Sequence, residues 1–161
     1  MKGWFGVFTA AAVLLLTACS GQKAVEQTYF GFPKDEFAVK EEADTHGGFH
    51  GDGMYRLILD CSENREGAEK ILNGWAELPL PENLGLILYG GEKDGVYYGY
   101  ELAEEAGLPV VENGWYCFYD RHAKSTAPED ASALFHRASY NFSLGIYDSS
   151  TDHMYYFEYD T

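Results

Sequence analysis

An α+β domain built mainly on antiparallel sheet, with about six or seven strands and two or three helices, is the fold class this sequence predicts. Three observations carry that expectation. Residues 54–60 and 140–147 alternate with the two-residue period of strands that bury one face. Residues 62–75 place Ala68, Ile71, Leu72 and Trp75 at helical spacing on one side. Turn-forming residues separate several apolar runs, which favours neighbouring strands that pair antiparallel.

The elements follow in chain order. In 54–60, Tyr55, Leu57 and Leu59 share a face, with Arg56 and Asp60 on the other. Ser62 is placed to cap a helix whose first turn holds Glu63 and Glu66, and which must stop before Pro79 and Pro81. Residues 84–89 read as a buried strand. Gly90, Gly91 and Asp94-Gly95 then turn the chain into a hairpin with residues 96–100. Residues 101–106 suit a short helix stopped by Gly107 and Pro109. Asn113-Gly114, between residues 110–111 and 115–120, is the strongest tight-hairpin signal, because both turn positions tolerate positive φ. Residues 126–129 resemble a capping box ahead of a helix through Leu134 and Phe135. The last strands are 140–147, with Tyr140, Phe142, Leu144 and Ile146 on one face, and 154–159.

Composition narrows the function classes. The chain has 161 residues, enough for one domain, and its 46% hydrophobic and 16% aromatic content can fill a core. Its formal charge is −15, and the eleven Lys and Arg are scattered singly. With no basic stripe to neutralise phosphates, nucleic acid is excluded as a partner class. A cationic protein or peptide suits this balance better, although a surplus of carboxylates also simply keeps an exposed domain soluble.

The amino terminus carries an address. Lys2 gives a positive start and residues 4–16 form an apolar run that, as a helix, would rise roughly 20 Å, short of the ~30 Å needed to span a bilayer. It reads as a cleaved signal sequence. Directly after it comes Leu16-Thr17-Ala18-Cys19, which resembles the lipobox of bacterial lipoproteins. That resemblance implies a signal peptide over residues 1–18 and a diacylglyceryl group on the Cys19 thiol. It also implies attachment to the extracytoplasmic face of a cell membrane, the outer membrane where the cell has two. The two acyl chains of the diacylglyceryl group make the anchoring stable where one would be marginal, at about 0.8 kcal/mol per buried methylene, and the resemblance implies that the new amino terminus can be acylated too. Residues 19–34 then form a lipidated tether and residues 35–161 a single α+β domain. Loss of Lys2 takes the side-chain charge of the mature chain to about −16. The mature part loosely resembles the uncharacterised small lipoproteins of Gram-positive bacteria, which implies a location and no activity.

The most unusual stretch is 44–53, which packs Asp44, His46, His50 and Asp52 among four glycines. Two imidazoles and a carboxylate suit a divalent metal such as Zn²⁺, yet the order lacks the Glu that follows the first His of a zincin motif. The alternative is a glycine-rich loop whose polar side chains bond its own backbone. Cys61 and Cys117 remain once Cys19 is lipidated, an even pair that would either bridge in an oxidising compartment or sit apart as small core hydrophobes. Clusters at Tyr97, Tyr98, Tyr100 and at Tyr155, Tyr156, Tyr159 suit either strand faces or stacking on a sugar or peptide. Residues 148–152 resemble a calcium loop superficially, but the sixth position is His153 instead of Gly and Tyr159 stands where a Glu should be. Asp120-Arg121-His122 would form either an oriented histidine or a strand-end ion pair. The sequence has no nucleophile-elbow, phosphate-loop or dinucleotide fingerprint. These readings favour a non-enzymatic binding or interaction module. The alternative is a metal-dependent envelope hydrolase built on residues 44–52 with help from His122 or His136.

Overall fold

The alternating stretches lie at the middle of a sheet. The computed structural model describes residues 29–47, 51–122 and 124–161. Its strands are β1 (Ala38–Asp44), β2 (Gly53–Asp60), β3 (Ala76–Glu77), β4 (Gly91–Lys93), β5 (Val96–Tyr98), β6 (Gly114–Asp120), β7 (Asn141–Asp148) and β8 (His153–Asp160). Its α-helices among the described residues are α1 (Arg65–Leu72), α2 (Glu82–Tyr89) and α3 (Leu102–Glu105). Six strands form one sheet in the order β1-β2-β8-β7-β6-β3, with every pair antiparallel, and β4 and β5 pair separately. The class is α+β, as the sequence predicts.

Both faces of the sheet are covered. On one, Phe118, Phe142, Leu144, Ile146 and Phe157 pack against Leu84, Ile87 and Leu88 of α2 and against Leu102 and Ala103 of α3. On the other, Leu57, Leu59, Tyr147, Met154 and Tyr156 meet Phe30, Phe32, Phe37 and the α1 residues Ala68 and Leu72. Because successive side chains alternate between faces, β7 is buried at every position from Phe142 to Asp148. Gly145 is there because Trp75 fills the space above it: a Cβ would come within 2.6 Å of the Trp75 ring.

Several local expectations change. Residues 84–89 form helix α2, not a strand; Leu84, Leu86, Ile87 and Leu88 are all buried, so the helix is apolar almost all round and shows no stripe. The hairpin in that region joins β4 to β5 through Asp94 (φ 53°) and Gly95 (φ 76°), the double positive φ of a type I′ turn. Asn113-Gly114 is no hairpin, since residues 110–111 form no strand. Gly114 instead starts β6 at φ 146°, where a Cβ would collide with the Tyr147 carbonyl oxygen, and the Asn113 carbonyl accepts from Ser149 N at 3.1 Å. The helix after residue 62 begins later. Ser62 donates its hydroxyl to Asp60 at 2.6 Å, and Asn64 caps α1 by accepting from Gly67 N. Residues Ala131–His136 form a 3-10 helix capped by Asp130 rather than by Thr126.

Candidate functional site

Strand ends bring the chain's polar groups together at one end of the sheet. Register places Asp160 opposite both Gly53 and Asn141, and Asp120 opposite Phe142. Neighbouring residues on a strand point to opposite faces, so Asp120 and Arg121 serve two separate clusters. Arg121 Nη2 donates to Asp160 Oδ2 at 2.8 Å and to the Phe142 carbonyl at 3.2 Å. Asn141 Nδ2 donates to Asp160 Oδ1 at 2.9 Å. His46 closes this cluster, with Nδ1 2.7 Å from Asp44 and Nε2 3.0 Å from Asp160.

These contacts set the protonation states. Burial works against a charged His46, but the Asp44 and Asp160 carboxylates outweigh it and raise the imidazole above its ordinary value. For Asp160 burial pulls upward, and hydrogen bonds from Asn141, Arg121 and His46 overcome it and hold the carboxyl low.

The opposite face carries the second cluster. Asp120 has a side chain only 1% exposed, and it accepts from Arg137 Nη1 at 2.6 Å and from His122 N at 3.0 Å. Burial again opposes ionisation, and the Arg137 bond and the His122 amide win, keeping the carboxyl below its usual range. Asp120-Arg121-His122 is therefore not a self-contained ion pair; each charged member reaches a distant partner.

The proposed metal set is divided. Asp44 and His46 adjoin, Asp52 is exposed, and His50 lies outside the described residues. Among the described residues, no group of three His, Cys, Asp or Glu side chains is arranged to hold a metal ion. Cys19 and the rest of the lipobox, with residues 1–28, also lie outside them.

Of the two readings of Cys61 and Cys117, the structure shows the unbridged one, with both cysteines free. The cause is topological. Cys61 directly follows β2 and Cys117 lies on β6, with β8 and β7 between, so three strand spacings of ~4.8 Å separate the two by roughly 14 Å. A disulfide tolerates no more than about 7 Å between Cα atoms. The reading of two small core hydrophobes prevails: Cys61 is fully buried beside Leu59 and Met154, and Cys117 packs against the same cluster. Burial pushes the thiols up to about 12 and about 11 respectively.

Most tyrosines are sheet residues. Tyr156 is 2% exposed, Tyr159 stacks on Tyr140, and Tyr98 packs on Phe135 with ring centroids 4.8 Å apart. Tyr97 is the most exposed of those described at 77%, next to Val96 at the hairpin tip. Residues 148–152 form a turn, in which Asp148 bonds Ser150 and Thr151, and Asp152 accepts from the Tyr147 hydroxyl and pairs with Arg65.

The basic side chains are largely spoken for. Lys34 pairs with Glu42, Arg56 with Glu41, Lys70 with Glu66 and Lys93 with Glu82, in addition to the Arg65, Arg121 and Arg137 pairs above. Acidic groups outnumber these partners, and Glu36, Glu63, Glu69, Glu77, Glu92, Glu101 and Glu104 remain on the surface. No helix of the described residues is long and apolar enough to cross a membrane. Comparison of the chain with protein-family models, curated proteins and solved structures finds no match.

Proposed function

We propose that this protein is a lipoprotein held by Cys19 on the extracytoplasmic face of a membrane, where its domain serves as a non-catalytic module that binds a cationic protein or peptide. The observation that carries this reading is the way most of its described Lys and Arg side chains are consumed by its own carboxylates, so the surplus negative charge faces solvent. A long-range field of one sign steers an oppositely charged partner and raises the association rate. Catalysis finds less support among the described residues. Cys61 is buried and Cys117 half-buried, both with raised pKa values, the reverse of an activated nucleophile, and both nitrogens of His46 are engaged by carboxylates.

Two experiments test the two halves. For the address, wild-type chain is expected in the membrane fraction with residues 1–18 removed, and Cys19→Ala in the soluble fraction. Recovery of the wild type with Met1 intact would refute it. For the module, an oligolysine peptide is titrated against the full chain in detergent at low and at physiological ionic strength. Saturable binding that weakens at least roughly tenfold with salt is expected. Equal binding of a charge-neutral peptide of the same length would overturn the reading.

A further inference from the structure

The β4–β5 hairpin presents a ring and a carboxylate that the rest of the molecule leaves unused. Its two strands pair only with each other, and a lone two-stranded hairpin is marginal in water unless something holds it. What holds it is its inward face: Tyr98 packs on Phe135, and Lys93 pairs with Glu82 and donates to Asn83 Oδ1 at 3.0 Å. Side chains alternate along each strand and cross-strand partners share a face. Lys93 and Tyr98 therefore mark the inward face, and Glu92 with its partner Tyr97 marks the outward one.

Tyr97 is 77% exposed and has no ring or hydroxyl partner among the described residues. Other exposed tyrosines are committed: the Tyr89 hydroxyl donates to the Pro109 carbonyl, and the Tyr100 hydroxyl shares a hydrogen bond with that of Tyr140, each at 3.1 Å. Glu92, opposite Tyr97, is exposed and has no cation within ion-pair distance among the described residues. Residues opposed in this way hold their Cβ atoms about 4.5 to 5.5 Å apart, so the carboxylate stands beside the ring. The ring lies back along Gly99, where a Cβ would sit 3.7 Å from Tyr97 Cε1 and where no side chain covers it. Charge around this face is one-sided. Between residues 92 and 105 the chain exposes Glu92, Asp94, Glu101, Glu104 and Glu105, against a single Lys93 that Glu82 neutralises.

We propose that this face is where the cationic partner docks, with one of the partner's arginines laying its guanidinium plane on the Tyr97 ring and donating to the Glu92 carboxylate. The inference rests on the reading of the domain as a module for a cationic protein or peptide, and adds to it the site and the preferred residue. A guanidinium is planar and weakly hydrated, so it stacks on an aromatic face while its N–H edge reaches a carboxylate. An ammonium is a compact, strongly hydrated point charge that cannot do both. Charge complementarity selects the occupant. The carboxylates of residues 92–105 repel a second copy of this acidic chain, and a bilayer would have to bury Glu92 and Asp94 along with Val96 and Tyr97.

Fluorescence anisotropy of labelled oligoarginine and oligolysine peptides of equal length, titrated with the full chain in detergent, provides the test. Oligoarginine is expected to bind roughly two- to fivefold tighter than oligolysine, the range an exposed cation–π contact supplies. Tyr97→Ala is expected to weaken oligoarginine by a similar factor and to abolish the preference, whereas Tyr97→Phe keeps both, because the ring face makes the contact. Neither change touches a packed group, so the fold tolerates both. Glu92→Gln is compared with Glu69→Gln on α1, which removes the same charge from the other face of the sheet, and is expected to weaken oligoarginine at least about twofold more. The proposal is overturned if Tyr97→Ala binds oligoarginine like wild type, or if the two Gln variants lose equally. It is also overturned if an uncharged leucine–serine peptide binds as well, which gives the face to an apolar partner, or if Tyr97→Ala dissociates a dimer on size exclusion, which gives it to a second copy. Absence of salt-sensitive binding by either peptide sinks the wider reading too. Salt-sensitive binding that shows no arginine preference and ignores Tyr97→Ala sinks this site alone.

Discussion

Removing the Arg137 side-chain charge tests how the Asp120 cluster contributes to the fold. In Arg137→Met the aliphatic stem is roughly preserved, while the Asp120 carboxylate, 1% exposed, loses its only ion-pair partner among the described residues. Breaking one side of a buried pair typically costs about 3 to 5 kcal/mol, because a charge is left without compensation. Asp120 still accepts from the His122 amide, which puts the expected loss near the low end, about 3 kcal/mol. For a domain of this size that corresponds to a drop in Tm of roughly 10 °C. The pH dependence makes the test specific. The folded pKa of Asp120 lies below its unfolded value, so the stabilisation from the pair is present above the unfolded pKa of about 3.9 and is lost as pH falls through the folded value. In the variant the carboxyl has no guanidinium beside it and takes up a proton more readily. The gap between variant and wild type is therefore expected to be full near neutrality and to shrink on acidification, and adding Asp120→Asn is expected to recover much of the loss. Urea unfolding followed by circular dichroism across this pH range measures it. A deficit under about 1 kcal/mol at neutral pH, or one unchanged by acid, would refute the reasoning.

Other perturbations give equally direct outcomes. Native protein is expected to show two free thiols, Cys61 and Cys117, that iodoacetamide labels far more slowly before unfolding than after, since Cys61 is buried, Cys117 is half-buried and their pKa values are raised to about 12 and about 11; rapid labelling at neutral pH would contradict this. His46→Ala is expected to loosen the end of β1 more at mildly acidic than at alkaline pH. A histidine whose folded pKa is raised contributes fully below its unfolded pKa and loses that contribution as pH rises through the folded value, and amide exchange in Ala38–Asp44 measures it. Gly114→Ala combines positive φ with a collision against the Tyr147 carbonyl and is expected to cost about 2 to 4 kcal/mol in chemical denaturation; a neutral result would mean that β6 and β7 do not approach there as described.

Periodicity made the central strands legible, and the reasons it failed elsewhere are physical. The 54–60 alternation marks β2, whose buried positions Leu57 and Leu59 lie on one face, while 140–147 marks β7 by pattern although β7 is buried on both faces. Leu84–Leu88 gave no period to read: α2 sits between the sheet and the 3-10 helix, so both of its sides are apolar and a short run of this kind resembles a buried strand. Asn113-Gly114 has the composition of a hairpin turn, yet its glycine serves a close approach to β7. The polar clusters were beyond local reading altogether. Arg121 stands beside Asp120 in sequence but pairs with Asp160, and His46 reaches the same carboxylate across 114 positions, so only the strand order brings them together. The Arg137–Asp120 pair likewise has no sequence signature; a lone arginine after a short helix looks like any solvated one.

The sheet order has a temporal consequence. β8 is the last strand in the sequence, yet it is wedged between β2 and β7, with Leu57 opposite Tyr156. An emerging chain that has produced β1 and β2 can form that edge hairpin early, but it must then hold an apolar β2 flank open through about a hundred residues before its second neighbour is made. Closure is thus a late, long-range event, and a chain that stopped before β8 would leave the flanks of β2 and β7 open, both of which β8 covers in the folded sheet.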